Sequence, residues 1–239
     1  MSTNKGNTSA NKAAIAKPVY DITPFTLLDF PDKTACILWF AGCNMRCVYC
    51  YNPDIVRGKG NLLLSDVLRF IHSRKNLLDG VVLSGGECTL HREIFWLSHK
   101  IKSLNMSVKI DTNGSRPGIL KTLIKEKLVD YIALDFKALP GSFEAITHSQ
   151  LFATFEETLK LLLGEGVPFE VRTTVHSGLM SKAHISAMVQ FLESRGYYGH
   201  YYLQHFVGDS DTLEKLPASS KNKLSGNYST EKIDVVWRN

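Results

Sequence analysis

Residues 34–50 read Thr-Ala-Cys-Ile-Leu-Trp-Phe-Ala-Gly-Cys-Asn-Met-Arg-Cys-Val-Tyr-Cys. The first seven, Thr34–Phe40, are a short apolar run of strand length, and the loop that follows carries three cysteines within eight residues. The same strand-length pattern returns at Gly80–Ser84, Ser107–Asp111, Tyr131–Asp135, Phe169–Val175 and Tyr201–Phe206. Helically spaced apolar stripes separate most of these runs. Examples are Leu64, Val67, Leu68 and Ile71, then Ile94, Phe95, Leu97, Ile101 and Leu104, then Ile119, Leu120, Leu123 and Ile124. Two more are Phe155, Leu159, Leu162 and Leu163, and Ile185, Met188, Val189 and Leu192. Strands alternating with helices predict βαβ units and a parallel sheet of α/β class. Right-handed crossovers would curl it into a full or partial barrel or leave it open and doubly wound, and periodicity alone leaves that choice open.

Glycine-bearing or polar signatures stand at the ends of five runs: Gly42–Cys50, Gly85-Gly86-Glu87, Asp111-Thr112-Asn113-Gly114, Asp135-Phe136-Lys137 and Gln204-His205. In parallel α/β folds the carboxyl ends of the strands carry the chemistry, so the five should converge on one pocket.

The chain has 239 residues, 44% of them hydrophobic and 21% charged, which is enough to bury a continuous core. No run reaches the roughly 18 apolar residues of a membrane span. The first residues lack the pattern of a secretory signal, so a cytoplasmic enzyme is expected. The formal net charge of +5 comes from scattered lysines and arginines, and nucleic acid is not an expected partner. Residues 1–17 read as a disordered tail, 18–216 as the catalytic domain and 217–239 as a polar extension. That extension ends on the apolar cluster Ile233, Val235, Val236 and Trp237, which could dock back onto the domain.

Five cysteines, an odd number with three of them bunched, point to metal rather than disulfides. Cys43, Cys47 and Cys50 have C-x3-C-x2-C spacing, short enough for one loop to wrap an iron–sulfur cubane. Three thiolates on four irons would leave one iron open. A structural zinc site, the alternative, asks for four closed ligands, and no second cysteine pair follows.

This spacing, with Tyr49 before the last cysteine, resembles the cluster motif of the radical S-adenosylmethionine (SAM) superfamily. The resemblance covers most of residues 20–206 and implies a partial TIM barrel of the (β/α)6 type. It also implies a [4Fe–4S] cluster on Cys43, Cys47 and Cys50, with SAM on the open iron. Reductive cleavage of SAM would yield a 5′-deoxyadenosyl radical. The flanks Thr26–Lys33, Gly42-Cys43-Asn44 and Asn52-Pro53 resemble activating enzymes of glycyl radical enzymes, above all the anaerobic ribonucleotide reductase activating type. The resemblance therefore implies a glycyl radical enzyme as protein substrate and a one-electron donor such as flavodoxin or ferredoxin.

Gly85, Gly86 and Glu87 match the family's SAM-binding glycine-glycine-glutamate motif, with Cys88 where proline is usual. Cys88 and Cys36 are read as bystanders. Asp111, Thr112 and Asp135 resemble the family's ligands to a monovalent cation beside SAM, and Lys137 the lysine near the SAM carboxylate. Arg172 is expected either to face SAM or to pair with a buried carboxylate. His205, or Gln204 beside it, stands where the family has a SAM-contacting histidine. Two rival functions remain at this point: a radical SAM enzyme acting on a small molecule, of the carboxy-deazaguanine synthase type, and a non-catalytic iron–sulfur or metal-binding module.

Overall fold

A computed structural model describes residues 12–206 and 211–238. The expected tail at residues 1–17 falls mostly outside that range. Among the described residues eight strands form: β1 (Val19–Thr26), β2 (Ala35–Phe40), β3 (Gly80–Gly85), β4 (Ser107–Thr112), β5 (Tyr131–Asp135), β6 (Phe169–Val175), β7 (Gly199–His205) and β8 (Ile233–Arg238). The helices are α1 (Pro53–Arg57), α2 (Leu64–Ser73), α3 (Glu93–Ser103), α4 (Pro117–Lys125), α5 (Pro140–Thr147), α6 (Phe152–Glu165), α7 (Lys182–Ser194) and α8 (Lys221–Leu224). All six expected strands are present, and each apolar stripe lies on a helix.

The strands follow one another in chain order in a single sheet, with β1 and β8 at its two edges. The pairings β2–β3, β3–β4, β6–β7 and β7–β8 are parallel, while β1 runs antiparallel to β2. The two flanking strands were not among the expected six. β1 carries Pro24 and shifts register twice against β2, irregularities that suit an edge position. β8 is the apolar cluster expected to dock back, and it does so as a strand in register from Gly199↔Ile233 to Gln204↔Arg238.

The chain divides into two compact units. The first comprises the residues up to Cys43, Asp54–Thr112 and Gly118–Ile132, and the second Asn44–Pro53, Asn113–Pro117 and the residues from Ala133 onward. In the first unit β2 is buried almost throughout, as a parallel strand covered on both faces must be. Phe30, Ala35, Ile37 and Val82 pack together there, with Trp39 and Tyr131 against them. Leu64, Val67 and Ile71 of α2 and Ile94, Leu97 and Ile101 of α3 are buried, each such side chain contributing roughly 1.5–3 kcal/mol. In the second unit α6 buries Phe155, Leu159 and Leu162, and α7 buries Ile185, Met188, Val189 and Leu192. Phe136 stacks on Phe155 at 4.8 Å, anchoring the segment that leads from β5 to Lys137.

Candidate active site

Of the expected site residues, the first unit holds Cys43, Gly85, Gly86, Glu87, Asp111 and Thr112. Gly85, at the end of β3, has φ +119°, and a Cβ there would sit 2.3 Å from the Phe40 amide nitrogen. At Gly86 a Cβ would fall 2.0 Å from the Gly42 carbonyl oxygen and 3.2 Å from the Cys43 Cβ. The two glycines therefore let the β3 turn lie directly against the start of the cysteine loop. Two hydrogen bonds fasten this approach, Gly86 N–H to the Phe40 carbonyl and Glu87 N–H to the Gly42 carbonyl, both 2.9 Å. Next to Phe40, the Ala41 carbonyl meets His91 Nε2 at 2.8 Å, and the His91 ring lies 5.4 Å from that of Phe40, a support that sequence reading missed.

Glu87 is buried, and its carboxylate caps the 3₁₀ turn Cys88–Leu90. Its Oε1 accepts from the Thr89 amide at 3.1 Å and from the Thr112 hydroxyl at 2.9 Å. The glycine-glycine-glutamate and aspartate-threonine signatures are thus bonded to each other. Cys88 is fully buried, with Sγ 3.4 Å from the Leu83 carbonyl, and burial drives its thiol well above the ordinary range. That accords with a bystander.

Asp111 carries an unforeseen partner. Lys109, two residues earlier on β4 and so on the same strand face, sets Nζ 2.5 Å from Asp111 Oδ1. The side chains of Lys109 and Asp111 are only 2% and 9% exposed. Ser84 donates to the other carboxylate oxygen at 3.1 Å.

The second unit holds Cys47, Tyr49, Cys50, Asp135, Lys137, Arg172 and His205. The cysteine loop is strapped by backbone hydrogen bonds on two sides. Arg46 N–H and Val48 N–H donate to the Thr147 and Ile146 carbonyls at the end of α5, at 2.8 and 2.9 Å. From the other side Leu213 N–H and Glu214 N–H donate to the Cys50 and Val48 carbonyls, at 3.3 and 3.2 Å. Asn44 also joins the strand-end signatures: it donates to Ser115 Oγ at 2.8 Å and accepts from Asn113 Nδ2 at 3.0 Å. Gly114, with φ +75°, passes close to Leu134, where a Cβ would lie 2.8 Å from Leu134 Cδ1.

Asp135 accepts from Lys137 Nζ at 2.9 Å and from Arg172 Nε at 2.5 Å. Arg172 thus pairs with the half-buried Asp135 carboxylate. Burial by itself would raise the Asp135 carboxyl, but the two basic groups outweigh it and hold it at about 2. Burial likewise works against the Lys137 ammonium, and Asp135 more than compensates. Burial lifts the Cys47 thiol to about 11 although Lys137 pulls it down, so thiolate formation there needs a further positive charge such as a metal supplies.

None of the five cysteines forms a disulfide among the described residues. Among the described residues no three His, Cys, Asp or Glu side chains converge to hold a single metal ion. The Tyr49 hydroxyl is buried with no hydrogen-bond partner among the described residues, a donor in the field of Lys137, Cys47, Asp135 and Cys50. A buried phenol is ordinarily hydrogen-bonded, and a ligand with acceptor atoms beside this loop would satisfy it. The residues fit a cluster and a polar cosubstrate in this respect.

They fit a monovalent cation poorly. Asp111 is neutralised by Lys109, Asp135 is shared by Lys137 and Arg172, and the Thr112 hydroxyl is bonded to Glu87. A second unit charge about 4 Å from the Lys109 ammonium would meet roughly 4 kcal/mol of repulsion at an effective dielectric near 20. His205 stacks face to face on Trp237 of β8, with ring centroids 4.2 Å apart, so its recorded neighbour is aromatic.

Residues 37–192 match the radical SAM superfamily. The chain is a radical SAM protein. At 26% identity it aligns with a candidate glycyl-radical enzyme activating enzyme of Methanocaldococcus jannaschii, over 91% of this chain and 94% of that protein. It is 27% identical to the pyruvate formate-lyase-activating enzyme of Clostridium pasteurianum, over 74% of this chain and 76% of that one. Among solved structures it resembles SuiB of Streptococcus suis with a TM-score of 0.67 at 15% identity, over 83% of this chain and 47% of SuiB. The radical SAM chain thus spans about half the length of that structural relative, and the likeness establishes the α/β partial TIM-barrel fold. Membership makes the chain an enzyme of this superfamily, whose chemistry uses an iron–sulfur cluster and SAM. No helix among the described residues is long and apolar enough to cross a membrane.

Proposed function

We propose that this radical SAM enzyme installs a glycyl radical on a partner enzyme, with anaerobic ribonucleotide reductase as the protein substrate. The observation that carries the reading is the cysteine loop. It presents the three-thiol motif, a buried phenol without a partner at Tyr49, and the Lys137 ammonium acting on Cys47 and Tyr49. Agreement with activating-enzyme relatives over most of their length supports the choice of substrate class.

In this reading Cys43, Cys47 and Cys50 hold a [4Fe–4S] cluster. When bound, the cluster and SAM supply reductive homolysis to a 5′-deoxyadenosyl radical, which removes a hydrogen atom from a glycine of the partner. The chain's own groups bind and orient. The amides of Gly86 and Glu87 are committed to the Phe40 and Gly42 carbonyls, so the turn offers a ligand acceptor rather than donor atoms, which suits the SAM amino group. Lys137, with three ammonium donors and one directed at Asp135, has donors for the SAM carboxylate. Glu87 and Arg172 act through Thr112 and Asp135 as positioning residues. A flavodoxin or ferredoxin supplies the electron.

The test is anaerobic reconstitution with iron and sulfide, addition of dithionite and SAM, and chromatography of 5′-deoxyadenosine, with Cys47→Ala in parallel. Product from the wild type alone is expected. A second stage adds anaerobic ribonucleotide reductase or pyruvate formate-lyase and records the glycyl radical by electron paramagnetic resonance. A signal on the lyase but not the reductase would overturn the partner assignment. Absence of both nucleoside and cluster absorbance would overturn the whole reading.

A further inference from the structure

We infer that Lys109 serves as a built-in monovalent cation for Asp111, so that this enzyme binds and cleaves SAM without a bound alkali metal ion. The inference rests on the SAM-cleaving reading and specifies how the carboxylates of that same site are neutralised.

Strand parity is the first ground. Lys109 and Asp111 are two residues apart on β4, and their side chains leave the same face. Burial is the second. A fully buried lysine on a strand is a costly element to keep unless its charge is matched, and here the match is a single carboxylate at 2.5 Å. Ligand chemistry is the third. An alkali ion is held by several oxygens at once, and the groups expected to supply them are engaged otherwise. Asp111 takes the ammonium on one oxygen and the Ser84 hydroxyl on the other. Thr112 donates to Glu87, and Asp135 is divided between Lys137 and Arg172.

A tethered ammonium differs from a diffusible ion in one functional respect. It is present at every salt composition, and its burial keeps added salt from screening it. SAM binding and cleavage should therefore be indifferent to whether the medium contains sodium, potassium or a large organic cation. Lys109 is a positioning residue in this account, acting on the site through Asp111.

The experiment uses the reconstituted enzyme in sodium, potassium or tetramethylammonium chloride at equal ionic strength. It reads sodium-23 relaxation for ion binding and 5′-deoxyadenosine for turnover. For the wild type we expect no saturable sodium broadening and rates within about twofold across the three salts. In Lys109→Met, which keeps most of the side-chain length and removes the charge, we expect saturable sodium binding. Turnover of that variant should be at least tenfold slower in tetramethylammonium than in sodium. Saturable binding by the wild type that Asp111→Asn abolishes would overturn the inference, and this arm does not depend on Lys109→Met folding. So would a Lys109→Met variant that folds and matches the wild type in both readouts. Failure to form 5′-deoxyadenosine in any salt strikes the SAM reading instead, and sodium relaxation still decides the role of Lys109.

Discussion

Replacing Gly86 by alanine tests the contact between the β3 turn and the cysteine loop. The added Cβ would lie 2.0 Å from the Gly42 carbonyl oxygen, which also accepts the Glu87 amide at 2.9 Å. Ordinary van der Waals contact requires about 3.4 Å, so backbone must move by more than an ångström. The atom in the way is backbone, which cannot rotate aside as a side chain would. Overpacking of this kind costs about 1–3 kcal/mol, and losing the Glu87–Gly42 hydrogen bond adds about 1 kcal/mol. For a chain of this size each kcal/mol lowers Tm by about 2–4 °C, giving a fall of about 4–16 °C. A shift of roughly 1 Å in positioning groups costs about a hundredfold in rate, well beyond what a few degrees of stability would take at 25 °C. The assay pairs thermal unfolding with 5′-deoxyadenosine formation in Gly86→Ala, using Gly118→Ala as control because nothing lies within 4 Å of a Cβ there. A Gly86→Ala enzyme with wild-type Tm and turnover would refute the argument that this close approach is required.

Tyr49→Phe removes the unpartnered hydroxyl, so the ligand-free protein should lose no stability in thermal unfolding while its SAM dissociation constant rises about 5- to 100-fold, measured by equilibrium dialysis. Asp135 is held at about 2, below its unfolded value near 3.9, so its contribution to stability is complete above pH 4 and is lost as pH falls toward 2. That contribution is about 2–3 kcal/mol. Asp135→Asn leaves the half-buried Lys137 and Arg172 without this carboxylate and should cost about 2–3 kcal/mol at pH 7 by denaturant unfolding, the gap to wild type narrowing below pH 4. Cys88→Ala should bind as much iron as the wild type on reconstitution and cleave SAM at a similar rate, since its thiol is buried against the Leu83 and Asp111 carbonyls; halved iron content would contradict this.

The parallel strands were legible because burial on both faces leaves continuous apolar runs, as in Ala35–Phe40, and because five of the six expected runs end on a signature. The edge strands were harder to read for a physical reason. β1 is bulged, carries Pro24 and alternates polar with apolar residues, so its text resembles loop. β8 follows a polar stretch and pairs only with β7, so local propensity alone does not reveal it. Within the site, Arg172 could be narrowed to two roles, and only the fold selects Asp135. Lys109 escaped notice since a lysine between Val108 and Ile110 reads as a solvated position on an outer strand face. The available signal was its parity with Asp111. His91 gave no sign at all, because its partner is the Ala41 carbonyl and backbone atoms leave no mark on composition.

The double strapping of the loop around Cys47 and Cys50 bears on how such an enzyme is matured. In small zinc domains the metal supplies the free energy of folding, and stripping it returns the chain to disorder. Here α5 on one flank and Leu213-Glu214 on the other hold the loop's backbone through four main-chain hydrogen bonds. If those bonds suffice to hold the loop, folding and metallation would be separable events, and the iron-free protein should show native circular dichroism and regain its cluster when iron and sulfide are added.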